Sequence, residues 1–264
     1  MLGINNEDCF DTIQKIQDQG RKVGLVLTSP PYNTGRNSTD SKRRDTHEAR
    51  YDIHLDNMTD KEYLDWTTAL FQGFDSILRE NGVVLYNMSY GTDTTNTKED
   101  YKPNEIMYKV IDRIITETAF TIADTIVWKK QTALPNNTSK NKLTRICEFV
   151  YVFVRKSELK TFDTAKKVKS VAKTGQKFYE NVYNFVEARN NDGANKLNKA
   201  TFSSELVLKL LDMYYTKGVV YDPFMGTGST GVACEIMGIK WLGSEISTEQ
   251  CEYARKRLED LKNG

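Results

Sequence analysis

The strongest constraint on the fold lies near the C-terminal end, where two short apolar runs flank a glycine-rich turn and a helix. Gly218-Val219-Val220-Tyr221-Asp222 reads as a strand and Gly226 to Gly231 as a tight turn. Val232 to Met237 follows as a helix, and Lys240-Trp241-Leu242-Gly243-Ser244-Glu245 as a second strand. A strand, helix, strand succession closes by a right-handed crossover, which makes its two strands parallel neighbours. The unit predicts an α/β fold on a central, mostly parallel sheet.

The first part of the chain offers compatible pieces. Val23-Gly24-Leu25-Val26-Leu27 is an apolar run that stops at Thr28-Ser29-Pro30-Pro31, because proline has no amide to donate to a sheet ladder. The Pro-Pro segment therefore sits at a strand's C-terminal end, the edge where open α/β sheets bind ligands. Thr59-Asp60-Lys61-Glu62 has a helix-capping pattern, and Tyr63, Trp66, Leu70, Phe74, Ile77 and Leu78 follow at helical spacing. Asn81-Gly82 reads as a turn before a buried strand, Val83 to Met88. Ile106 to Thr118, Ser204 to Tyr215 and Thr248 to Leu261 read as helices, and Thr125 to Lys130 and Glu148 to Val154 as later strands of the same sheet. From 33 to 57 the chain is polar and basic without a hydrophobic period, which predicts a long mobile loop leaving the Pro-Pro segment directly.

A chain of 264 residues, 39% hydrophobic and 11% aromatic, fits one domain over 1–264. No apolar run approaches the roughly 18 residues of a membrane span, and residues 1–8 lack the pattern of a secretion signal, so a cytoplasmic protein without membrane contact is expected. Cys9, Cys147, Cys234 and Cys251 are far apart and there are two histidines, which gives neither a disulfide framework nor a metal site. Net charge is +1, unevenly placed: Arg155 to Lys199 holds eleven Lys/Arg against five Asp/Glu, a local +6 that leaves −5 for the remainder. This asymmetry fits a phosphate-facing strip, with a solvated lysine-rich face as the alternative. Lys166, Lys167 and Lys169 in that strip, and Arg36, Lys42, Arg43 and Arg44 in the 33–57 loop, are the candidate contacts.

Glycines at 226, 228 and 231 let the backbone turn into a helix whose free amides face a ligand, suiting an anion or a carboxylate. Glu245 ends the next strand, where a carboxylate accepts hydrogen bonds from the two hydroxyls of a ribose. A plain surface carboxylate is the alternative.

Taken in chain order, Ser29-Pro30-Pro31-Tyr32 and then Asp222-Pro223-Phe224-Met225-Gly226-Thr227-Gly228, with Thr230 and Gly243-Ser244-Glu245 beyond, resemble the DNA amino-methyltransferases of the beta group. In that branch the catalytic motif precedes the cofactor motif. The resemblance implies a Rossmann-like fold with circularly permuted motif order, dependent on S-adenosylmethionine (SAM). The implied reaction methylates the exocyclic nitrogen of cytosine or adenine in double-stranded DNA. It places Asp222, Phe224, Gly226, Gly228 and Thr230 around the methionine moiety of SAM and Glu245 on the ribose, with Pro223 and Ile246 as further cofactor-binding candidates. Ile4-Asn5-Asn6-Glu7-Asp8-Cys9 resembles the family's first strand, which puts Asp8 on the adenine amino group of the cofactor and the Cys9 amide at the ring edge. Glu7 stands where the family has glycine, and Asp8 is equally a helix cap; the two roles can coexist. Asn198-Lys199-Ala200-Thr201-Phe202-Ser203 departs from the family's His-Pro-Ala-x-Phe-Pro. It keeps Ala200 and Phe202, so Phe202 and Ser203 are the cofactor candidates there, Ser203 also serving as a cap.

An exocyclic amine is a poor nucleophile because its lone pair is delocalised into the ring. Acceptors that draw its hydrogens out of plane localise the pair and aim it at a methyl donor. Ser29 Oγ and the Pro30 carbonyl are those acceptors in this reading, Pro31 stiffens the loop, and Tyr32 stacks on a base flipped from the duplex. Stacking needs only a ring, so Phe in place of Tyr32 is expected to be mild. A Pro-Pro turn with a packed tyrosine is the alternative. Ser-Pro-Pro-Tyr, and Ala133-Leu134-Pro135-Asn136 followed by Arg145 and Glu148, resemble cytosine-N4 enzymes, whereas Tyr32-Asn33-Thr34-Gly35 resembles adenine-N6 enzymes; N4-methylcytosine is the expected product and N6-methyladenine the alternative. Cytosine-C5 chemistry is set aside because no cysteine follows a proline. A catalytically inactive DNA-binding subunit is the competing class, opposed by Ser29, Tyr32, Gly226, Gly228 and Glu245. Residues 155–199 are the expected target-recognition insert, and a homodimer or a companion restriction endonuclease is left open.

Overall fold

The computed structural model describes residues 2–33, 58–89, 105–133, 135, 140, 143–193 and 201–263. Strands β1 (Gly3–Asn5), β2 (Val23–Thr28), β3 (Leu78–Met88), β4 (Phe120–Lys130), β5 (Cys147–Arg155), β8 (Phe185–Ala188), β9 (Val220–Asp222) and β10 (Trp241–Ser244) form one sheet in the order β1-β10-β9-β2-β3-β5-β4-β8. β6 (Val168–Val171) and β7 (Lys177–Tyr179) pair as a separate antiparallel hairpin. The helices are α1 (Cys9–Asp18), α2 (Asp60–Ile77), α3 (Ile106–Glu117), α4 (Ser204–Tyr214), α5 (Ser229–Met237) and α6 (Thr248–Asn263).

In the eight-stranded sheet only β5 runs against its neighbours; all other pairings are parallel. β9 and β10 are parallel neighbours, as the strand, helix, strand pattern predicts.

Side chains alternate along β2 and β3 between two apolar layers, as the two-residue period of a strand requires. Leu25, Leu27, Val83 and Leu85 pack with α4, α5 and α6, while Val26, Val84 and Tyr86 pack with α1, α2 and α3. Both faces are covered, which is why β2 reads as an unbroken apolar run. Phe71 centres the second layer, with ring contacts of 5.0 to 5.5 Å to Phe74, Tyr86, Phe120 and Phe153.

The helix starts follow local chemistry. Thr59 and Glu62 form a capping box on α2, Asp8 accepts from the Phe10 amide on α1, and Ser203 accepts from the Leu206 amide on α4. One expectation is corrected. Asn81-Gly82 does not precede the third strand but lies inside it, as a bulge at which Val23 pairs with Leu78 and Leu25 with Val83. Asn81 takes the left-handed φ of 58° that this excursion needs.

The described part of the 155–199 stretch, 155–193, is heterogeneous. Arg155 is tied to Asp75 at 2.5 Å and β8 adds to the sheet beside β4, whereas the β6 and β7 side chains are exposed. Of the loop expected over 33–57, only Asn33 is among the described residues; Arg36, Lys42, Arg43 and Arg44 lie outside them, as does Ala200. No helix among the described residues is long and apolar enough to cross a membrane.

Candidate active site

Chain direction in the sheet divides between β9 and β2. From β9 the chain crosses to β10 on one side, and from β2 it crosses to β3 on the other, while β2 and β9 are hydrogen-bonded neighbours. The crevice at such a switch point, beyond the carboxyl ends of the strands, is where open α/β sheets bind ligands. Both motif loops leave from it: Ser29 to Tyr32 after β2, and Pro223 to Gly228 after β9.

On the cofactor side, Asp222 is buried and fully engaged. Its Oδ1 accepts from Thr28 Oγ1 at 2.7 Å and from the Phe224 amide at 3.1 Å, and its Oδ2 accepts from Thr230 Oγ1 at 2.5 Å. Burial pushes this carboxyl up to about 6, against the pull of those hydrogen bonds. Gly228 has φ 84°, and a Cβ on it would stand 2.9 Å from the Ala254 Cβ, so the position excludes larger residues. Glu245 is half-buried. Its two oxygens accept from the Gly226 amide at 3.0 Å and the Ser247 amide at 2.8 Å, and burial raises its pKa. It braces the glycine loop, which removes the reading of a plain surface carboxylate.

The start of the chain reaches the same edge. The Asn6 side chain donates to the carbonyls of Glu245 at 2.9 Å and Ile246 at 3.1 Å, so the turn that leads from β1 to Asp8 and Cys9 lies against the end of β10. Asp8 caps α1, accepting from the Phe10 amide at 2.8 Å. Cys9 is buried, its thiol pushed up chiefly by burial, and its carbonyl accepts from Tyr221 Oη at 3.2 Å. Phe224 meets Trp66 with ring centroids 5.5 Å apart, an aromatic wall at the loop. Phe202 is buried, and the Ser203 hydroxyl caps α4 by accepting from the Leu206 amide at 3.2 Å while donating to the Arg189 carbonyl at 2.7 Å. Pro223 and Thr230 are also buried.

Asp192 is a missed residue here. It accepts from the Ser204 amide at 2.8 Å, from Ser229 Oγ at 3.0 Å and from Arg257 at 2.5 Å, which joins the starts of α4 and α5 to α6. Nothing in its local sequence marks it, because its partners lie 12 to 65 residues away.

On the catalytic side, Ser29 Oγ and Tyr32 Oη are 2.8 Å apart. Tyr63 Oη on α2 donates to the Pro31 carbonyl at 2.6 Å and pins the loop. Asn87, at the end of β3, donates from Nδ2 to Tyr32 Oη at 2.7 Å, to Ser29 Oγ at 3.3 Å and to Glu148 Oε2 at 3.1 Å. Glu148 is paired in turn with Lys130, whose ammonium lies 5.1 Å from the Trp128 ring centroid. The Tyr32 hydroxyl is thus built into a polar network, in addition to the ring face expected to stack.

Lys166, Lys167 and Lys169 are exposed at the β6–β7 hairpin, beside exposed Val168, Phe178, Tyr179 and Tyr183. Among the described residues no three His, Cys, Asp or Glu side chains gather as a metal site.

Comparison with known proteins accords with this geometry. The N6/N4 DNA methylase family model matches residues 23–256. The orphan methyltransferase M.BamHII of Bacillus amyloliquefaciens is 21% identical, over 90% of this chain and 89% of its own length. The type II methyltransferase M.Cfr9I of Citrobacter freundii is 25% identical, over 90% and 81%. Among solved structures, the M1.HpyAVI–SAM complex superposes with a TM-score of 0.65 at 21% identity, covering 98% of this chain and 99% of that one. The cytosine-N4-specific PvuII DNA methyltransferase gives 0.67 at 17% identity, covering 100% and 92%.

Proposed function

The chain belongs to the N6/N4 DNA methylase family, and from that premise we propose that it methylates the N4 amine of cytosine in double-stranded DNA, on a base flipped from the helix. The enzyme is a SAM-dependent DNA methyltransferase. The observation that carries methyl transfer at this site is the junction of the two motif loops at one switch point through Thr28 and Asp222. The residues present fit SAM. Loop amides at the start of α5 suit its carboxylate, the half-buried Glu245 suits ribose hydroxyls, and Phe224 with Trp66 offers an aromatic wall. Asp8 and Cys9 lie at the same edge for the adenine ring, and Gly226, Gly228, Thr230 and Ile246 frame the rest.

Bound there, SAM supplies a methyl group on a sulfonium centre. The protein's own part is to hold the acceptor amine. Ser29 Oγ and the Pro30 carbonyl accept hydrogen bonds from it, localising the lone pair for in-line attack, and Tyr32 stacks on the ring. The methylated nitrogen is acidic and loses its proton to solvent, so no base of shifted pKa is required. The neutral serine hydroxyl before Pro-Pro favours cytosine; the Tyr32-Asn33 sequence keeps adenine N6 as the second reading. Lys166, Lys167 and Lys169, with exposed aromatic rings around them, are placed on the DNA backbone.

Digesting methylated DNA to nucleosides and weighing them tests the reading. N4-methylcytosine is the expected product. N6-methyladenine would transfer the site to the second reading, and the absence of any methylated base would overturn the proposal.

A further inference from the structure

Three polar side chains that neither motif contains converge beneath the catalytic loop. Lys130 ends β4, Glu148 opens the antiparallel β5, and Asn87 lies near the end of β3. Because β5 runs opposite to its neighbours, its first residues reach the edge at which the other strands finish.

Donor and acceptor chemistry fixes the direction of the chain they form. Lys130 only donates and the Glu148 carboxylate only accepts, so the Asn87 amide must turn its NH₂ toward Glu148. The same NH₂ then reaches Tyr32 Oη at 2.7 Å and Ser29 Oγ at 3.3 Å. The opposite end of the amide, Asn87 Oδ1, is buried without a hydrogen-bond partner, although Asn87 is only 3% exposed. A buried unpaired acceptor is unfavourable and rare in native structures. Here it is the consequence of turning the amide's NH₂ toward Glu148, Tyr32 and Ser29.

We propose that Asn87 is a positioning residue for methyl transfer: held by the Glu148–Lys130 pair, it fixes the Tyr32 hydroxyl against Ser29 and so sets where the serine meets the target amine. The inference rests on the reading of Ser29 as the amine's acceptor. Asn87 acts through the tyrosine hydroxyl, not on the substrate. Glu148 acts one step further back.

A double-mutant cycle on the full chain tests this, with single-turnover methylation of duplex DNA at saturating SAM as readout. Tyr32→Phe, Asn87→Ala and the double variant are compared with wild type, and SAM affinity by calorimetry serves as the folding control. The expected result is that each single change slows methyl transfer roughly tenfold, as loss of one positioning hydrogen bond implies. The double variant is then no slower than the worse single one, and SAM affinity is unchanged throughout. Losses that multiply in the double variant would overturn the inference, as would a single Asn87→Ala variant with wild-type turnover. Should Asn87→Ala fail to fold, Glu148→Gln takes its place. It leaves a neutral amide able to donate to Asn87 Oδ1, frees the amide to turn, and is expected to slow turnover in wild type but not in the Tyr32→Phe background. Wild-type protein that methylates no base would defeat the Ser29 reading itself, an outcome distinct from multiplicative losses in an active enzyme.

Discussion

Thr28 Oγ1 donates to Asp222 Oδ1 at 2.7 Å across the paired strands β2 and β9, fastening the strand that feeds the catalytic loop to the strand that feeds the glycine loop. Thr28→Val keeps the shape and removes the donor from a buried carboxylate. The expected loss of stability is roughly 1.5–3 kcal/mol, the range for a hydrogen bond to a charged group, read from urea unfolding, with weaker SAM binding in calorimetry.

Asp222 also gives the stability a pH dependence of definite sign. Its carboxyl is raised from the ordinary 3.8 to about 6, mainly by burial. The folded state therefore holds this proton more tightly than the unfolded chain. The group's contribution is full below about 4, declines as pH rises to about 6, and is level above that. Burial raises Glu245 in the same direction, so the comparison that isolates Asp222 is wild type against Asp222→Asn. The difference in urea midpoint between them is expected to shift from pH 4 to 6 and to stay constant from 7 to 8.

Glu245→Ala removes the acceptor of the Gly226 and Ser247 amides together with the expected ribose partner. SAM affinity is expected to fall roughly tenfold or more while the far-UV circular dichroism spectrum is retained. Gly228→Val is harsher, since it forces a branched side chain into a left-handed backbone against Ala254; both SAM binding and thermal stability should drop. Undiminished affinity in Glu245→Ala would remove the ribose assignment.

Charge reversal at Lys166, Lys167 and Lys169 addresses the hairpin. DNA affinity should fall, and the plot of its logarithm against log salt should flatten by about three times 0.9 if all three meet phosphates. SAM binding should be unaffected, as no described contact links the hairpin to the glycine loop. Unaltered DNA affinity would return these lysines to a solvated face.

Much of this arrangement is legible in the sequence because it is local. The βαβ unit, the α2 capping box and the stop at Pro30-Pro31 each follow from adjacent residues, and the motif loops fall where strand ends put them. What escapes is assembled across distance. The contact of Asn87 with Glu148 joins residues 61 apart, and only the reversal of β5 brings them under Ser29, although Glu148 itself stands in a segment that the resemblance covers. Asp192 escapes for the same reason. The bulge at Asn81 looks like a turn because an Asn-Gly pair carries the same left-handed signal in either setting. The β6–β7 hairpin goes unread because its exposed side chains show no alternation between apolar and polar faces.

β1, the first strand described, lies against β10, and Gly3, Ile4, Leu258 and Lys262 border one shallow surface depression. The beginning and the end of the described chain are therefore neighbours. The order in which the two motifs are translated is then separable from where they sit. A chain joined from Asn263 to Leu2 by a short linker and opened between Asn33 and Met58 would present the glycine loop first and the Pro-Pro loop last, over an unaltered set of strand pairings.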